Sequence, residues 1–199
     1  NYFERQTQQG WDCLREGDID QAITLFDGVL TTISELNYPQ IKKSGLLGKI
    51  RCFEKIDNYA EALTLAHELK ADHANDVSVQ LTLITCLIKN GQLNEAIEEI
   101  KQSIATEADT NTLAELWQNY AKCLELLHRP AAAVLAVYNY IEKTYQQSAA
   151  SYRWTKLCKA RYLRMIRHPL AAINVYQELL AIYDDDKQIQ CHYAKALLQ

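Results

Sequence analysis

The residues of this chain best suited to chemistry are its six cysteines, at positions 13, 52, 86, 123, 158 and 191. Thiols in a regular row can hold a metal, exchange disulfides or attack an electrophile. Here none stands closer than 33 residues to the next, so no Cys-x-x-Cys pair exists, and six in 199 residues are too sparse for a disulfide scaffold. Reduced thiols in a cytoplasm fit this usage. The first five are followed, nine to fourteen residues later, by an alanine at 22, 62, 96, 133 or 172 inside a similar apolar run. A row of this kind belongs to a repeat before it belongs to a reaction.

The other reactive groups are isolated. The stretch "HELKA" at His67 is half of a zinc-protease signature, but Ala71 stands where the second histidine should be and His73 falls off that helical face. No metal or cofactor is expected. Neither a G-x-S-x-G elbow, a phosphate-binding glycine loop nor a paired-carboxylate signature occurs, so no catalytic residue is assigned and no enzyme is expected.

The most informative charge feature is "RWTKLCKARYLRMIRH", residues 153–168, with Arg153, Lys156, Lys159, Arg161, Arg164 and Arg167 and no acid. At about 100° per residue, Arg153, Lys156, Arg164 and Arg167 fall within a helical sector of about 80°. This stripe is either a solvated edge or a face for acidic groups, for which the guanidinium fork is suited.

The elements that must carry these residues follow from composition and period. Nearly half of the chain is apolar and only three residues are proline, which argues against disorder. No apolar run approaches the ~20 residues of a membrane span. Residues 1–112 hold 10 Lys and Arg against 18 Asp and Glu, and residues 113–199 hold 11 against 7, so the two halves present different surfaces.

The alanines are 40, 34, 37 and 39 residues apart, a helical-solenoid period. Each opens a similar segment: "GDIDQAITLF", "DNYAEALTLA", "GQLNEAIEEI", "RPAAAVLAVY" and "HPLAAINVYQ". Gly17-Asp18, Asp57-Asn58 and Asn90-Gly91 supply turn and capping chemistry before them, while Pro130 and Pro169 suit the start of a helix. Upstream, Trp117, Tyr120, Ala121, Leu124 and Leu127 recur on one helical face, and downstream Ala133, Val137, Tyr140 and Ile141 do likewise. Helix, tight turn and helix form the repeating unit.

These residues resemble the tetratricopeptide repeat family, whose pattern sets Trp, Leu-Gly and Tyr on the first helix, a glycine at the turn and A-x3-F on the second. Trp117-x2-Tyr120-Ala121-x2-Leu124 matches the first helix, and Ala22-x3-Phe26 and Ala172-x3-Tyr176 match the second. Gly17 and Gly91 each precede their alanine by five residues, as the turn glycine should. Elsewhere Ala66, Ile100 and Val137 stand in the aromatic's place.

The resemblance implies an all-α, right-handed solenoid of five helix pairs, at about 3–38, 41–75, 77–112, 113–148 and 152–186, followed by a terminal helix at 187–199. The chain is expected to be a piece of a longer protein. It also implies that Cys52, Cys86 and Cys123 occupy a small-residue place on the first helix, as packing rather than as a thiol site.

Carried over residue by residue, the family's concave groove would be lined by Arg161 and Arg164 in the fifth unit. Gln118, Lys122 and Glu125 would line it in the fourth, Leu81, Thr85 and Ile88 in the third, and Trp11 in the first. A second register, set by Trp154-x2-Leu157-Cys158, would put Lys159 there instead of Arg161. Members that grip chaperone C-termini need lysines, asparagines and an arginine at these places. The pairs found are Thr7 and Trp11, Leu47 and Arg51, Leu81 and Thr85, Gln118 and Lys122, and Leu157 and Arg161, so that mode is not expected.

The implied function is a non-enzymatic protein-interaction scaffold holding a partner peptide or helix in the groove, with an acidic segment as one option. Alternatives are a structural, self-assembling or ligand-sensing segment of a larger protein, and a homo-oligomer is compatible with either. Nucleic acid is not expected of so acidic a chain.

Overall fold

The computed structural model describes residues 2–34, 36–107 and 109–198, so the last residue of the expected terminal helix lies outside the described residues. Among them eleven α-helices follow one another without a strand. They are α1 (Tyr2–Glu16), α2 (Ile19–Ile33), α3 (Pro39–Lys55), α4 (Tyr59–Asp72), α5 (Val77–Lys89), α6 (Leu93–Thr106), α7 (Thr110–Leu126), α8 (Ala131–Thr144), α9 (Ala149–Met165), α10 (Pro169–Leu180) and α11 (Lys187–Leu197). The fold is an all-α helical repeat. It divides into two compact units, Asn1–Ala96 and Ile97–Gln199.

The uneven period has a local cause. The shortest step, 34 residues from Ala62 to Ala96, contains the 13-residue α5, whereas each longer step contains a 17-residue helix, α3, α7 or α9.

One device recurs in the turns that close each pair. The amide of Asp18, Asn58, Gln92, Arg129 or His168 donates to a carbonyl five residues back, at 2.9–3.0 Å. The residue before it stands in the left-handed region: Gly17 (φ 90°), Asp57 (58°), Gly91 (81°), His128 (50°) and Arg167 (62°). This is the Schellman closure, which satisfies carbonyls at a helix C-terminus. Two turns use the glycine that tolerates the conformation, and three hold side chains against a cost of about 1–2 kcal/mol each.

The fourth turn corrects one expectation. Arg129 adds a residue between the left-handed position and the N-cap Pro130, so α8 starts one residue late in register. Ala133 is therefore exposed, and Val134 and Tyr138 are the buried pair that fills the A-x3-F place.

In the first unit each helix from α1 to α5 packs on its neighbour, and α1 also touches α3. Phe26, wholly buried, is the centre of the α1–α3 contact. A Cβ built on Gly10 would come within 2.8 Å of its ring, and one on Gly48 would collide with it. The two glycines make the slot that the aromatic fills. In the second unit α9 lies between α7 and α11, with α8 and α10 behind it, and Tyr138 and Tyr176 are the large aromatics of its core.

Cys52, Cys86, Cys123 and Cys158 are buried, Cys13 is half-buried and Cys191 is exposed. Burial pushes the thiols of Cys52 and Cys123 up to about 11 and that of Cys86 to about 12, so they stay protonated and act as packing.

Side chains also stitch alternate helices. Asp76 caps α5: its Oδ1 accepts from the amides of Ser78 at 3.0 Å and Val79 at 3.4 Å, while Oδ2 accepts from Lys43 Nζ on α3. Asp186 does the same for α11, with Oδ1 on Gln188 N at 3.0 Å and Ile189 N at 3.2 Å, and Oδ2 on Arg153 Nε of α9 at 2.9 Å. One oxygen caps and the other docks.

Candidate functional site

The side-by-side packing of α7 and α9 leaves two adjoining hollows in the second unit. The larger, about 790 Å³, is lined by Gln118 and Lys122 of α7, Tyr138 of α8, and Trp154, Cys158 and Arg161 of α9, with other residues around them. The smaller, about 500 Å³, has Glu125, Leu126, Tyr162, Arg164 and Met165 in its wall. Lys122 and Arg161 line both.

The helices explain why these residues meet. On α9, Leu157, Ala160 and Leu163 are buried in the core, which turns Trp154, Arg161 and Met165 to the open side. On α7, Ala114, Ala121 and Cys123 are buried and leave Gln118 and Lys122 facing α9. Seven residues before the left-handed turn position stand Ala121 on α7 and Ala160 on α9, so Lys122 and Arg161 occupy matching places on successive first helices.

Gln118 is held by the neighbouring helix, its Nε2 donating to Thr155 Oγ1 at 2.9 Å. Glu125, 5% exposed, accepts a hydrogen bond from the Tyr138 hydroxyl and has Lys122 Nζ at 3.6 Å. Burial, and then the Glu125 carboxylate, hold the Tyr138 phenol well above its usual range. Tyr138 is thus a fixed donor. Lys122 is partly compensated by Glu125, whereas Arg161 and Arg164 have no ion-pair partner within 4 Å among the described residues. The net charge around the shared wall is positive, and it can receive an anionic group.

The remaining residues singled out in the sequence lie elsewhere. Lys159 pairs with Glu142 at 3.0 Å, and both side chains are less than a fifth exposed. It is Arg161, not Lys159, that lines the hollows. Thr85, in the other unit, turns its hydroxyl back to Leu81 O at 2.9 Å. Trp11, also in that unit, donates to Ser44 Oγ at 3.1 Å, meets Phe26 edge to face at 5.7 Å, and lines a hollow of only about 220 Å³.

The expected basic stripe is not one face. Arg153 is bound to Asp186, and Lys156, nearly buried, is bound to Glu178 with Tyr152 5.1 Å below its Nζ. Residues not marked as binding candidates in the sequence are Trp154, Tyr138, Leu126 and Met165. Trp154 and Met165 could have been found by stepping seven residues back and four forward from Arg161 on one helical face.

Among the described residues no group of three or more His, Cys, Asp or Glu is placed to hold a metal, and no helix is long and apolar enough to cross a membrane.

Residues 54–116 match the family model of the tetratricopeptide repeat. The alanine steps at 62 and 96 fall inside that match. No curated protein matches the chain in sequence. Solved structures share its fold. A tetratricopeptide protein of Thermus thermophilus is 18% identical, with 99% of this chain and 100% of that one aligned at a TM-score of 0.66. Repeats of a kinesin light chain from Podosopora anserina are 15% identical over 100% of this chain and 97% of that one, at 0.73. YrrB, described as having an unusual peptide-binding site, is 13% identical over 96% and 90%, at 0.57.

Proposed function

We propose that this chain, with its tetratricopeptide segment at 54–116, is a non-enzymatic interaction module that holds an acidic segment of a partner protein against α7 and α9. The observation that carries this reading is the placement of Lys122 and Arg161 in the common wall of two hollows, with Arg164 in the smaller one and no ion-pair acid on either arginine among the described residues. A carboxylate from a ligand would supply the missing partner, and a guanidinium presents it with a planar pair of donors. Tetratricopeptide proteins are generally non-catalytic interaction modules, and the peptide-binding site for which YrrB is described is in keeping with this use of the fold.

The test is a pulldown from cell lysate with Arg161→Glu and Arg164→Glu combined. Loss of the captured partner, with helical circular dichroism and melting temperature unchanged, is expected; an unchanged pulldown overturns the reading.

A second reading has one observation behind it. Leu197 and Leu198 are 56% and 87% exposed at the C-terminal end of α11, apolar surface on which a second copy could pack. Light scattering that shows mass rising with concentration would favour it.

A further inference from the structure

The two hollows differ along the axis of α9 in a way that specifies a ligand, granted the reading just proposed. Trp154, 45% exposed, stands in the larger hollow, Arg161 in both, and Met165, 63% exposed, in the smaller. These three are seven and four residues apart, so they share one face of the helix. At 1.5 Å per residue the tryptophan lies about 10 Å from the arginine along the axis and the methionine about 6 Å beyond it. An extended peptide advances about 3.3 Å per residue. It therefore covers the step from tryptophan to arginine in about three to four residues and that from arginine to methionine in about two. Because alternate side chains face one side, those that meet the helix stand about four and two residues from the acid.

The charges along the same line fix what belongs at each step. Glu115 lies in the wall of the larger hollow, as Trp154 does, and repels an acidic side chain there. Lys122 and Arg161, which line both hollows, attract one in the middle. Leu126 and Met165, 42% and 63% exposed, offer apolar surface at the far end that a ligand side chain would cover.

We infer that the ligand is an extended peptide in which one acidic side chain stands four residues from an apolar or aromatic one and, in the other chain direction, two residues from another apolar one, so that all three face the helix. Cys158 lines the larger hollow between the tryptophan and the arginine, and Tyr138 offers no free donor there because its hydroxyl hydrogen is engaged by Glu125. The middle of the groove thus binds by charge and its two ends by apolar cover.

The experiment uses the 199-residue chain and fluorescein-labelled synthetic peptides, read by anisotropy. One peptide carries a glutamate with leucines four residues before and two after it in a serine-alanine background. A second carries the same spacing in reversed chain order, and a third the same composition with both leucines next to the glutamate. Expected is binding of one of the first two about tenfold tighter than of the third, lost about tenfold on Arg161→Glu. Trp154→Ala and Met165→Ser each weaken the spaced peptide about three- to tenfold and leave the third unchanged. Circular dichroism checks that each variant is folded.

Equal binding of all three peptides with dependence on Arg161 overturns the spacing and leaves the groove standing. Binding indifferent to Arg161→Glu overturns both. No binding of any peptide at millimolar concentration overturns the inference, and the lysate pulldown with the double arginine variant then decides the groove by itself.

Discussion

The two ends of α9 carry the same kind of residue and use it in opposite ways. Toward its N-terminus, Arg153, Lys156 and Lys159 are each met by an acid from another helix: Asp186 at the cap of α11, Glu178 on α10 and Glu142 on α8. Toward its C-terminus, Arg161 and Arg164 face open hollows, and Arg167 sits in the turn, exposed. Three cations hold the fold and the next two are left for something else. What separates them is the position of acids 17 to 33 residues away in the chain. A half-buried pair resists disruption because removing one partner leaves the other desolvated and unmet. An exposed cation can be changed with little effect on stability.

Breaking the paired end should have the largest effect. Lys159→Ala leaves Glu142, which already has one buried oxygen without a partner, without its ion-pair partner. The expected cost is about 3 kcal/mol, a fall in melting temperature of about 6–12 °C, with peptide affinity unchanged. A shift below about 2 °C would mean that the pair contributes no more than a surface one.

Next comes the boundary between the two ends. Tyr138→Phe removes the hydroxyl that donates to buried Glu125, and should cost about 1–2 kcal/mol in chemical denaturation. It should also weaken peptide binding, since Lys122 then answers Glu125 alone. Stability unchanged from wild type would show that water replaces the hydroxyl.

At the open end the sign reverses. Arg167→Gly relieves a left-handed residue and should stabilise by about 1 kcal/mol. A loss of stability would show that the arginine has a packing role that outweighs its backbone.

The smallest effect is in acid. Lys43, the Ser78 hydroxyl and the Val79 amide hold the Asp76 carboxyl at about 2, and Arg153 lowers that of Asp186. Carboxyls depressed in the folded state contribute stability above the unfolded value near 3.8, and that contribution is lost as pH falls toward 2. Asp76→Asn should flatten the acid limb of a stability-against-pH curve over that window; an unchanged limb would assign the loss to other carboxylates.

Much of this was legible in the chain itself. The alanine steps, the glycines at 17 and 91, and Asp18 and Asn58 as caps mark helix pairs through local chemistry that acts over a few residues. Cysteine burial followed from the same register. The turns at His128 and Arg167 carry neither glycine nor Asp or Asn, so their left-handed backbone leaves no compositional trace, and the extra Arg129 slipped α8 by one position unseen. In the site, Arg161, Arg164, Lys122 and Gln118 could be placed because they lie at a fixed offset from the turn. That Lys159 and Arg153 are engaged could not, because their partners come from other helices, and a run of six cations reads alike at both ends.

The divided carboxylates of Asp76 and Asp186 have a dynamic consequence. Each joins a helix end to the helix two before it through a single group, so fraying the first turn and undocking the helix from that partner are not independent events. In a linear array stability is a sum of local terms and nearest-neighbour terms, and such a group contributes to both at once. Amide protons at Gln188 and Ile189 should therefore exchange at the rate at which α11 leaves α9, rather than at the faster rate of an ordinary helix end.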